Sequence, residues 1–429
     1  MNSRRSFIRK ATAISAIPTL SSFVNLTQPR LEEIQKEALK KSPTELAEDE
    51  DFWSFIKQSY TVSPQIINLN NGGVSPSPKP VQDSLERLNH YANECPSYYM
   101  WGIMDQGREP LRENIAKFAG VSPEEIAFNR NTTEALDTII LGMPLQKGDE
   151  VILCEYDYPN MLNAWRQREM RDGIVLKWID LKLPSDDKKA LTQPYLDAIT
   201  GKTKVIHVTH MINYNGQIMP VKEISDLAHK KGIEVVCDGA HTFAHIDFKI
   251  PDLGCDYFGT SLHKWLGAPI GNGLLWMKKE KIATVYPLLP NPNPKTDNIR
   301  KFENLGTRSF MIEQSIGEAL NFQYALGNER KEARLRYLRD YWAKNALAIS
   351  DRVSIQTSLS KEFSCALAVV GIDGLMGREI AKTFFDKYKI HTTQRTKIDI
   401  NGSRVTPHVY TSINDLDRLL TAIEYLTKG

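Results

Sequence analysis

The 429-residue sequence lacks the features that mark several common protein classes. Its five cysteines are scattered and include no CxxC pair, so neither a disulfide framework nor a zinc knuckle is indicated. The GxGxxG and P-loop patterns are absent, which argues against nicotinamide, flavin and nucleoside triphosphate cofactors. The formal net charge is +2, so the composition gives no indication of a nucleic-acid partner.

Metal-binding motifs with a specific spacing, such as HExxH, are also missing. His241 and His245, with Asp247 close by, have the spacing that two metal ligands on one helical face would need. This segment follows an apolar run and leads into Pro251 and Gly254, so we expect no helix there. The sequence therefore predicts no metal site.

The rest of the composition is that of an ordinary globular enzyme. Hydrophobic residues make up 41% and charged residues 25% of the chain, and its length suffices for two domains. Helical segments alternate with short apolar runs typical of buried strands, at 151–154, 174–179, 204–208, 234–237, 257–260 and 273–277. This alternation predicts an α/β fold with a mostly parallel sheet covered on both faces. In such sheets, ligands bind at the carboxyl ends of the strands.

The stretch 234–275 places two chemically important groups directly after predicted strands. Asp238 follows the run EVVC and opens DGAH, and Lys264 lies in SLHKW after the next run. Pyridoxal phosphate needs a lysine amine to hold its aldehyde and a carboxylate to keep its ring nitrogen protonated. We therefore predict a pyridoxal phosphate site here. Taken alone, either residue could belong to a surface turn.

The segments DGAH and SLHKWLGAP resemble those of the class V aminotransferase family of fold-type-I pyridoxal phosphate enzymes, and most of all its isopenicillin N epimerase-like branch. The likeness covers residues 68–426 and implies a large domain with a mostly parallel, seven-stranded sheet and a smaller α+β C-terminal domain. It implies that Lys264 is the Schiff-base lysine and Asp238 the partner of the pyridine nitrogen. It further implies that His241 is a neighbour of the ring hydroxyl and that Ser261 and His263 contact the phosphate.

Two threonines resemble the phosphate-binding turn of the family. Thr132 and Thr133 open a predicted helix directly after a strand. The free N–H groups of a helix N-terminus suit an anion. Asn131 and Glu134 have the spacing of a capping box, and capping is compatible with phosphate binding.

The resemblance assigns two more residues to the cofactor ring. Tyr158, in YDYPN, stands where the family has a ring that stacks on the pyridine. Asn213 matches an asparagine near the ring hydroxyl. Without the resemblance, both would be interpreted as turn residues.

Substrate and subunit contacts are expected near the C-terminal half. Arg404 matches the substrate-binding arginine of the family, whose planar guanidinium can hold a carboxylate through two parallel hydrogen bonds. Arg395 is a weaker candidate for the same task. Thr307, in NLGTR, resembles the residue that reaches the phosphate of the other subunit, which implies a homodimer. Arg308 is a candidate for a second anion contact.

The loop that carries the nucleophilic cysteine in cysteine desulfurases reads HTTQRTK in this sequence. Cys365 is expected to be buried in a strand at 365–370, so desulfuration or a related lyase reaction is disfavoured. Chemistry at the Cα–H bond of an amino acid or peptide amine remains, and we predict an aminotransferase. Epimerisation is the alternative, and it requires a second acid that the sequence does not locate. A non-catalytic binding protein with the same fold is a further alternative.

The N-terminal residues differ from the rest. The basic segment SRRSFIRK and the uncharged run 11–24 resemble a twin-arginine export signal, and the run is too short to span a bilayer. We therefore expect a periplasmic or exported protein without an integral membrane segment; a basic tail on a cytoplasmic protein is the alternative. The predicted divisions are a signal at 1–28, a helical arm at 29–66, a cofactor-binding domain at 67–310, and a connector helix with the small domain at 311–429.

Overall fold

The computed structural model describes residues 28–428, so the predicted export signal lies, apart from its last residue, outside the described residues. The α-helices in this range are Gln28–Ala38, Pro43–Ala47, Glu50–Lys57, Lys79–Glu94, Arg108–Ala119, Thr132–Gly142, Pro159–Asp172, Lys188–Asp197, Val221–His229, Lys279–Ile282, Phe310–Gln314, Ile316–Leu326, Asn328–Leu347, Gly377–Tyr388 and Ile413–Lys428. None of these helices combines the length and the apolar character needed to cross a membrane.

The strands β1 to β13 are, in chain order, Ile67–Asn68, Ile126–Asn129, Glu150–Cys154, Val175–Ile179, Thr203–Thr209, Glu234–Asp238, Tyr257–Ser261, Gly273–Met277, Val353–Ile355, Ala368–Ile372, Ile390–His391, Thr393–Lys397 and Ile400–Val405. Seven of them form one sheet in the order β2-β8-β7-β6-β5-β3-β4. Neighbours from β7 to β4 pair in parallel, whereas β8 is antiparallel to both β2 and β7. The predicted α/β fold with a mostly parallel, seven-stranded sheet is confirmed.

Both faces of this sheet are buried, as is usual for parallel sheets covered by helices. Alternate residues of β6 pack into different apolar clusters: Val235 and Cys237 on one face, Val236 on the other. The polar residues Thr209 and Asp238 come at the last positions of the neighbouring strands β5 and β6 and pair in register. The sheet therefore presents its functional groups at one edge, which is where the sequence predicts the site.

The C-terminal part contains a smaller antiparallel sheet in the order β12-β13-β10-β9. Helices Gly377–Tyr388 and Ile413–Lys428 pack against it through a shared apolar cluster. Strand β13 carries Arg404, which pairs with Val369 of β10. Cys365 is fully buried, but β10 begins at Ala368, so the prediction of a strand from residue 365 was wrong at its start.

The predicted domain boundaries fall close to element ends. Residue 67 begins β1, and residue 311 is the second residue of helix Phe310–Gln314. The predicted N-terminal arm contains three helices, and its buried Trp53 shares an apolar cluster with Leu335 of helix Asn328–Leu347. The arm thus packs onto helix Asn328–Leu347. The division into domains stays a prediction.

Candidate active site

A cavity of about 280 Å³ lies at the carboxyl ends of β5, β6 and β7. Ten of the residues that the sequence assigns to the site line it together: Thr132, Thr133, Tyr158, Asn213, Asp238, His241, Ser261, His263, Lys264 and Arg404. The cavity wall also includes Gly72, Gly73, Thr209 and Arg395. Residues far apart in sequence therefore converge on one chamber.

Lys264 follows β7 by three residues and projects into this cavity. Burial lowers the pKa of its amine to about 8; the nearby Asp238 carboxylate raises it, while the charges of Arg404 and Arg395 lower it further. An amine with this pKa is partly neutral near pH 7 and can act as a nucleophile or a base.

The backbone beside Lys264 is held by an aromatic stack. The next residue, Trp265, is fully buried and stacks on His245 with ring centroids 3.7 Å apart and planes at 20°. His408 also stacks on this tryptophan, with ring centroids 5.7 Å apart and planes at 11°. Nδ1 of His245 lies 2.7 Å from the carbonyl oxygen of His241, and its Nε2 accepts from Ala366 N at 3.1 Å. These contacts give His245 a structural role.

Asp238 is the last residue of β6 and is 2% exposed. Its Oδ1 accepts a hydrogen bond from Ala240 N at 2.9 Å. Burial raises the pKa of this carboxyl, and the Ala240 hydrogen bond and the charge of Lys264 oppose that rise. A cation at the cavity floor would be stabilised by this carboxylate and would favour its ionised form.

Sequence reasoning missed a second buried carboxyl beside Asp238. Asp157 Oδ1 accepts from Thr209 Oγ1 at 2.7 Å, and its Oδ2 accepts from Cys154 N at 2.8 Å. Burial raises the pKa of Asp157 to about 7, and the nearby Asp238 charge adds to the rise. The sequence shows an acidic residue soon after predicted strand β3, which could have marked Asp157 as a candidate. Its contact with Thr209 follows only from the adjacency of β3 and β5 in the sheet.

The two threonines lie at an anion site formed by helix Thr132–Gly142. Thr132 N donates to Ser261 Oγ at 2.9 Å, and the two hydroxyl oxygens are 2.7 Å apart. Asn131 caps the helix by accepting from Glu134 N at 2.9 Å. The predicted capping box is incomplete, because the Glu134 carboxylate accepts from Arg130 N instead of Asn131 N. The dipole of this helix makes its N-terminus electropositive, and Thr132 and Thr133 bring that end to the cavity wall.

Two buried polar atoms near Asp238 have no hydrogen-bond partner among the described residues: Nδ1 of His241 and Oδ1 of Asn213. Burial, followed by the charges of Lys264 and Arg404, lowers the pKa of His241 well below its usual value. Its ring is therefore neutral near pH 7. Unpaired buried polar atoms are costly, so both are suited to a ligand that supplies the missing hydrogen bonds.

His263 lines the same cavity, and its Nδ1 lies 3.0 Å from the carbonyl oxygen of Asn272. A carbonyl accepts, so Nδ1 carries the proton and Nε2 of the neutral ring is an acceptor. Burial lowers the pKa of this imidazole. A hydrogen bond from Nε2 to a phosphate therefore requires the protonated ring.

Arg404 is 1% exposed and comes to the cavity from the small sheet. Its Nη1 donates to Asn213 O at 2.8 Å and its Nη2 donates to Asn70 Oδ1 at 3.1 Å, while its buried Nε has no partner among the described residues. Arg395 directs Nε to the same Asn213 carbonyl at 3.4 Å. Burial and the charge of Arg395 lower the pKa of Arg404. Two close guanidinium groups without a carboxylate partner in residues 28–428 form a site for an anion.

Thr307 is the one assigned residue that lies elsewhere. It lines a separate cavity of about 380 Å³ together with Arg308, whose Nε is 3.4 Å from Glu313 Oε2. Within one chain, Thr307 therefore does not join the residues around Lys264. Its assignment to the site of another subunit stays a prediction.

Comparison with known proteins identifies the family of this chain. Residues 67–415 match the family model described as aminotransferase class-V. The chain belongs to the class V aminotransferase family. Isopenicillin N epimerase of Streptomyces clavuligerus is 25% identical over 393 residues, which cover 87% of this chain and 98% of the epimerase. A probable cysteine desulfurase of Halobacterium salinarum is 24% identical over 414 residues, 90% of this chain and 98% of that protein.

Solved structures share the fold of this class V chain. The apo structure of a cysteine desulfurase from Thermococcus onnurineus NA1 superposes with a TM-score of 0.76 at 22% identity, covering 87% of this chain and 98% of that one. The cystine C-S lyase C-DES, in complex with cysteine persulfide, gives a TM-score of 0.76 at 19% identity, with 84% and 98% covered.

Pyridoxal phosphate is the cofactor of this class V enzyme, and the cavity residues fit it. Asp238 offers the buried carboxylate for a protonated ring nitrogen, and Lys264 the amine for the aldehyde. Helix Thr132–Gly142 offers its N-terminus to the phosphate. The unpaired atoms of His241 and Asn213 offer partners for the ring hydroxyl. The cofactor predicted from the sequence is confirmed.

Proposed function

We propose that this class V enzyme removes the Cα proton of an amino acid and completes a transamination. The observation that carries the proposal is the convergence of Lys264, Asp238 and Arg404 on a cavity that no cysteine lines. Four of the five cysteines are buried, and the exposed one, Cys95, lies outside the cavity wall. Cleavage at Cβ by a cysteine nucleophile therefore has no candidate residue.

Arg404 is proposed to bind the substrate carboxylate. A guanidinium has five N–H donors, and two of those of Arg404 are used by Asn213 and Asn70. The three that remain, including Nε, suffice for two parallel hydrogen bonds to a carboxylate. Holding the carboxylate at this place orients the Cα–H bond toward Lys264.

Lys264 is proposed to move the proton. Its pKa of about 8 keeps a useful fraction of the amine neutral at physiological pH, and its place in the cavity wall puts it beside the bound substrate. Pyridoxal phosphate, when bound, supplies the electron sink that makes the Cα–H bond acidic. Asp238 would hold the proton of the ring nitrogen, and Tyr158, which lines the cavity, would offer an aromatic face to the ring.

Epimerisation is the second candidate function, and the similarity to relatives favours it. Two isopenicillin N epimerases, from Streptomyces clavuligerus and Amycolatopsis lactamdurans, are 25% identical to this chain over 98% and 99% of their own lengths. Inversion at Cα requires a proton donor on the face opposite Lys264. We propose the hydroxyl of Tyr158, which lines the cavity and is 40% exposed, as that donor.

The two functions are separated by incubating the holoenzyme with single enantiomers of amino acids in deuterated water. A transaminase exchanges the α-proton and, with a keto acid present, releases a new keto acid; an epimerase yields the opposite enantiomer. Tyr158→Phe keeps the ring and removes the hydroxyl, so it should retain transamination and lose epimerisation. A protein that neither exchanges the proton nor changes its cofactor absorbance with any amino acid would contradict both proposals.

We also propose that the enzyme works as a homodimer. The cavity that contains Thr307 is lined by Leu288 and Leu289, which are 42% and 36% exposed, so a second copy could cover apolar surface there. Light scattering tests the dimer. Mixing Lys264→Ala and Thr307→Ala chains tests shared sites, because a mixed dimer should then contain one cofactor site with both residues intact. Activity no higher than that of either parent would contradict sharing.

A further inference from the structure

A second, larger depression of about 750 Å³ opens beside the active-site cavity. It lies between residues 61–76 and the pair formed by helix Gly377–Tyr388 and strand β11. Four large apolar side chains with partial exposure line it: Val62 at 38%, Ile66 at 38%, Val74 at 43% and Phe385 at 39%. We call this depression, defined by these four residues and His391, the distal groove.

The distal groove adjoins the active-site cavity at the end where Arg404 lies. Gly73 lines both cavities. Asn70 connects them, because its Oδ1 accepts from Arg404 Nη2 at 3.1 Å while its Nδ2 lies 3.3 Å from His391 Nε2 in the groove. A ligand whose carboxylate is bound by Arg404 therefore begins one residue away from the groove.

Two glycines let the backbone pack closely where the two cavities meet. A Cβ at position 72 would lie 3.4 Å from Arg404 Nη2 and 3.1 Å from Thr406 Cγ2. A Cβ at position 73 would lie 3.3 Å from Asn70 Nδ2 and from its carbonyl oxygen. Side chains at these positions would therefore press on Thr406 and Asn70 and disturb the wall between Arg404 and the groove. Glycine is the residue that permits such a close approach.

The groove has no Lys, Arg, Asp or Glu among the described residues that line it. Two of its polar side chains already have partners: Asn68 Nδ2 donates to Tyr410 Oη at 3.0 Å, and Tyr410 Oη donates to Asn71 Oδ1 at 2.6 Å. His391 Nε2 lies 3.3 Å from the amide Nδ2 of Asn70, which donates, so Nε2 accepts this hydrogen bond. A mainly apolar surface without ammonium, guanidinium or carboxylate groups is therefore left to the ligand.

From these observations we infer that the distal groove binds the side chain of the substrate, which is an amino acid with a long, uncharged, largely apolar substituent. The inference rests on the proposed function, because it takes the carboxylate at Arg404 as the anchor. A small amino acid would leave the exposed surfaces of Ile66, Val74 and Phe385 in water. A side chain that covers them gains the free energy of apolar burial.

The first test measures binding to the holoenzyme without a reaction, using butanoate, hexanoate and octanoate in calorimetry. Each methylene that enters an apolar environment should lower Kd by up to about fourfold. Across the four methylenes that separate butanoate from octanoate, we expect a gain of about tenfold to about 250-fold. Equal affinities for butanoate and octanoate would overturn the inference.

Substitutions in the groove test whether the increase in affinity from butanoate to octanoate arises there. Phe385→Asp and Val74→Asp each place a charge in the groove and should remove most of the gain for octanoate while leaving butanoate binding within about twofold. Met170→Asp is the matched control, because Met170 is 82% exposed and does not line the groove. An unchanged gain in both groove variants would overturn the inference. So would a groove variant that loses the gain together with a change in particle mass by light scattering, since the groove would then be an interface between two copies.

The amino acids 2-aminobutanoate and 2-aminooctanoate, supplied as racemates, separate this inference from the proposed function. If both exchange their α-protons and the octanoate derivative half-saturates the absorbance change at a lower concentration, both stand. If both exchange and half-saturate equally, the groove inference fails and the function stands. If octanoate binds tightly and no amino acid of either length exchanges its proton, the proposed function fails.

Discussion

The role of Arg404 gives the sharpest quantitative prediction, with Arg404→Lys as the perturbation. Lysine keeps the positive charge but cannot form two parallel hydrogen bonds to a carboxylate. A hydrogen bond to a charged group contributes about 1.5–3 kcal/mol, so the loss of one of two should weaken carboxylate binding by about 10-fold to about 150-fold. Lysine has one ammonium group in place of the guanidinium, so either Asn70 Oδ1 or Asn213 O would also lose its present hydrogen-bond donor.

The assay compares each amino acid with its decarboxylated amine, using the half-saturation of the cofactor absorbance change. The wild-type protein should favour the amino acid, and Arg404→Lys should reduce this preference by the stated factor while the affinity for the amine stays within about threefold. Arg395→Lys is the matched control, since Arg395 is half-buried and its Nε is 3.4 Å from the same carbonyl. An unchanged preference in Arg404→Lys, with a loss in Arg395→Lys, would show that the other arginine holds the carboxylate.

Three further predictions follow from the cofactor site and the cysteines. The pKa of Lys264 is about 8, so the rate of cofactor incorporation into cofactor-free protein should rise as the pH rises through 8 and level off above it. Asp238→Asn removes a charge that raises this pKa, so the midpoint of the pH–rate curve should be lower in this variant. An unchanged midpoint would contradict the electrostatic coupling between Asp238 and Lys264. Thr132→Val should raise the Kd of pyridoxal phosphate about 10-fold to about 150-fold by loss of one hydrogen bond to an anion, whereas Thr138→Val, on the same helix, should leave it unchanged in fluorescence titrations. Iodoacetamide should alkylate the native protein at Cys95, the exposed cysteine, without loss of α-proton exchange. Mass spectrometry locates the modified cysteine, and NMR follows the exchange. Inactivation that coincides with modification of another cysteine would contradict the proposed mechanism.

The sequence predicts the central sheet and the places of Asp238 and Lys264 because both depend on strand order along the chain, whereas the other site residues are assigned through the family resemblance. Asp238 ends strand β6 and Lys264 follows the neighbouring strand β7, and parallel strands bring their carboxyl ends to one edge. Arg404 could be placed in the site through the family resemblance, since it belongs to another sheet. Its distance from Lys264 in the sequence carries no spatial information.

What the sequence does not predict depends on contacts between distant segments. The antiparallel direction of β8 leaves no mark on its apolar pattern, because a buried strand has the same composition in either direction. The bond between Asp157 and Thr209 requires β3 and β5 to be adjacent. The distal groove exists because β1 pairs with β11, more than 300 positions away.

The most direct test of the account is the identity of the lysine that holds pyridoxal phosphate. The chain offers rivals with lowered pKa values: burial brings the pKa of Lys331 to about 7 and that of Lys301 to about 8. Borohydride reduction of the holoprotein fixes the cofactor to its lysine, and mass spectrometry of the peptides locates it. The account predicts a single label on Lys264. A label on Lys331, on Lys301 or on no lysine would contradict it.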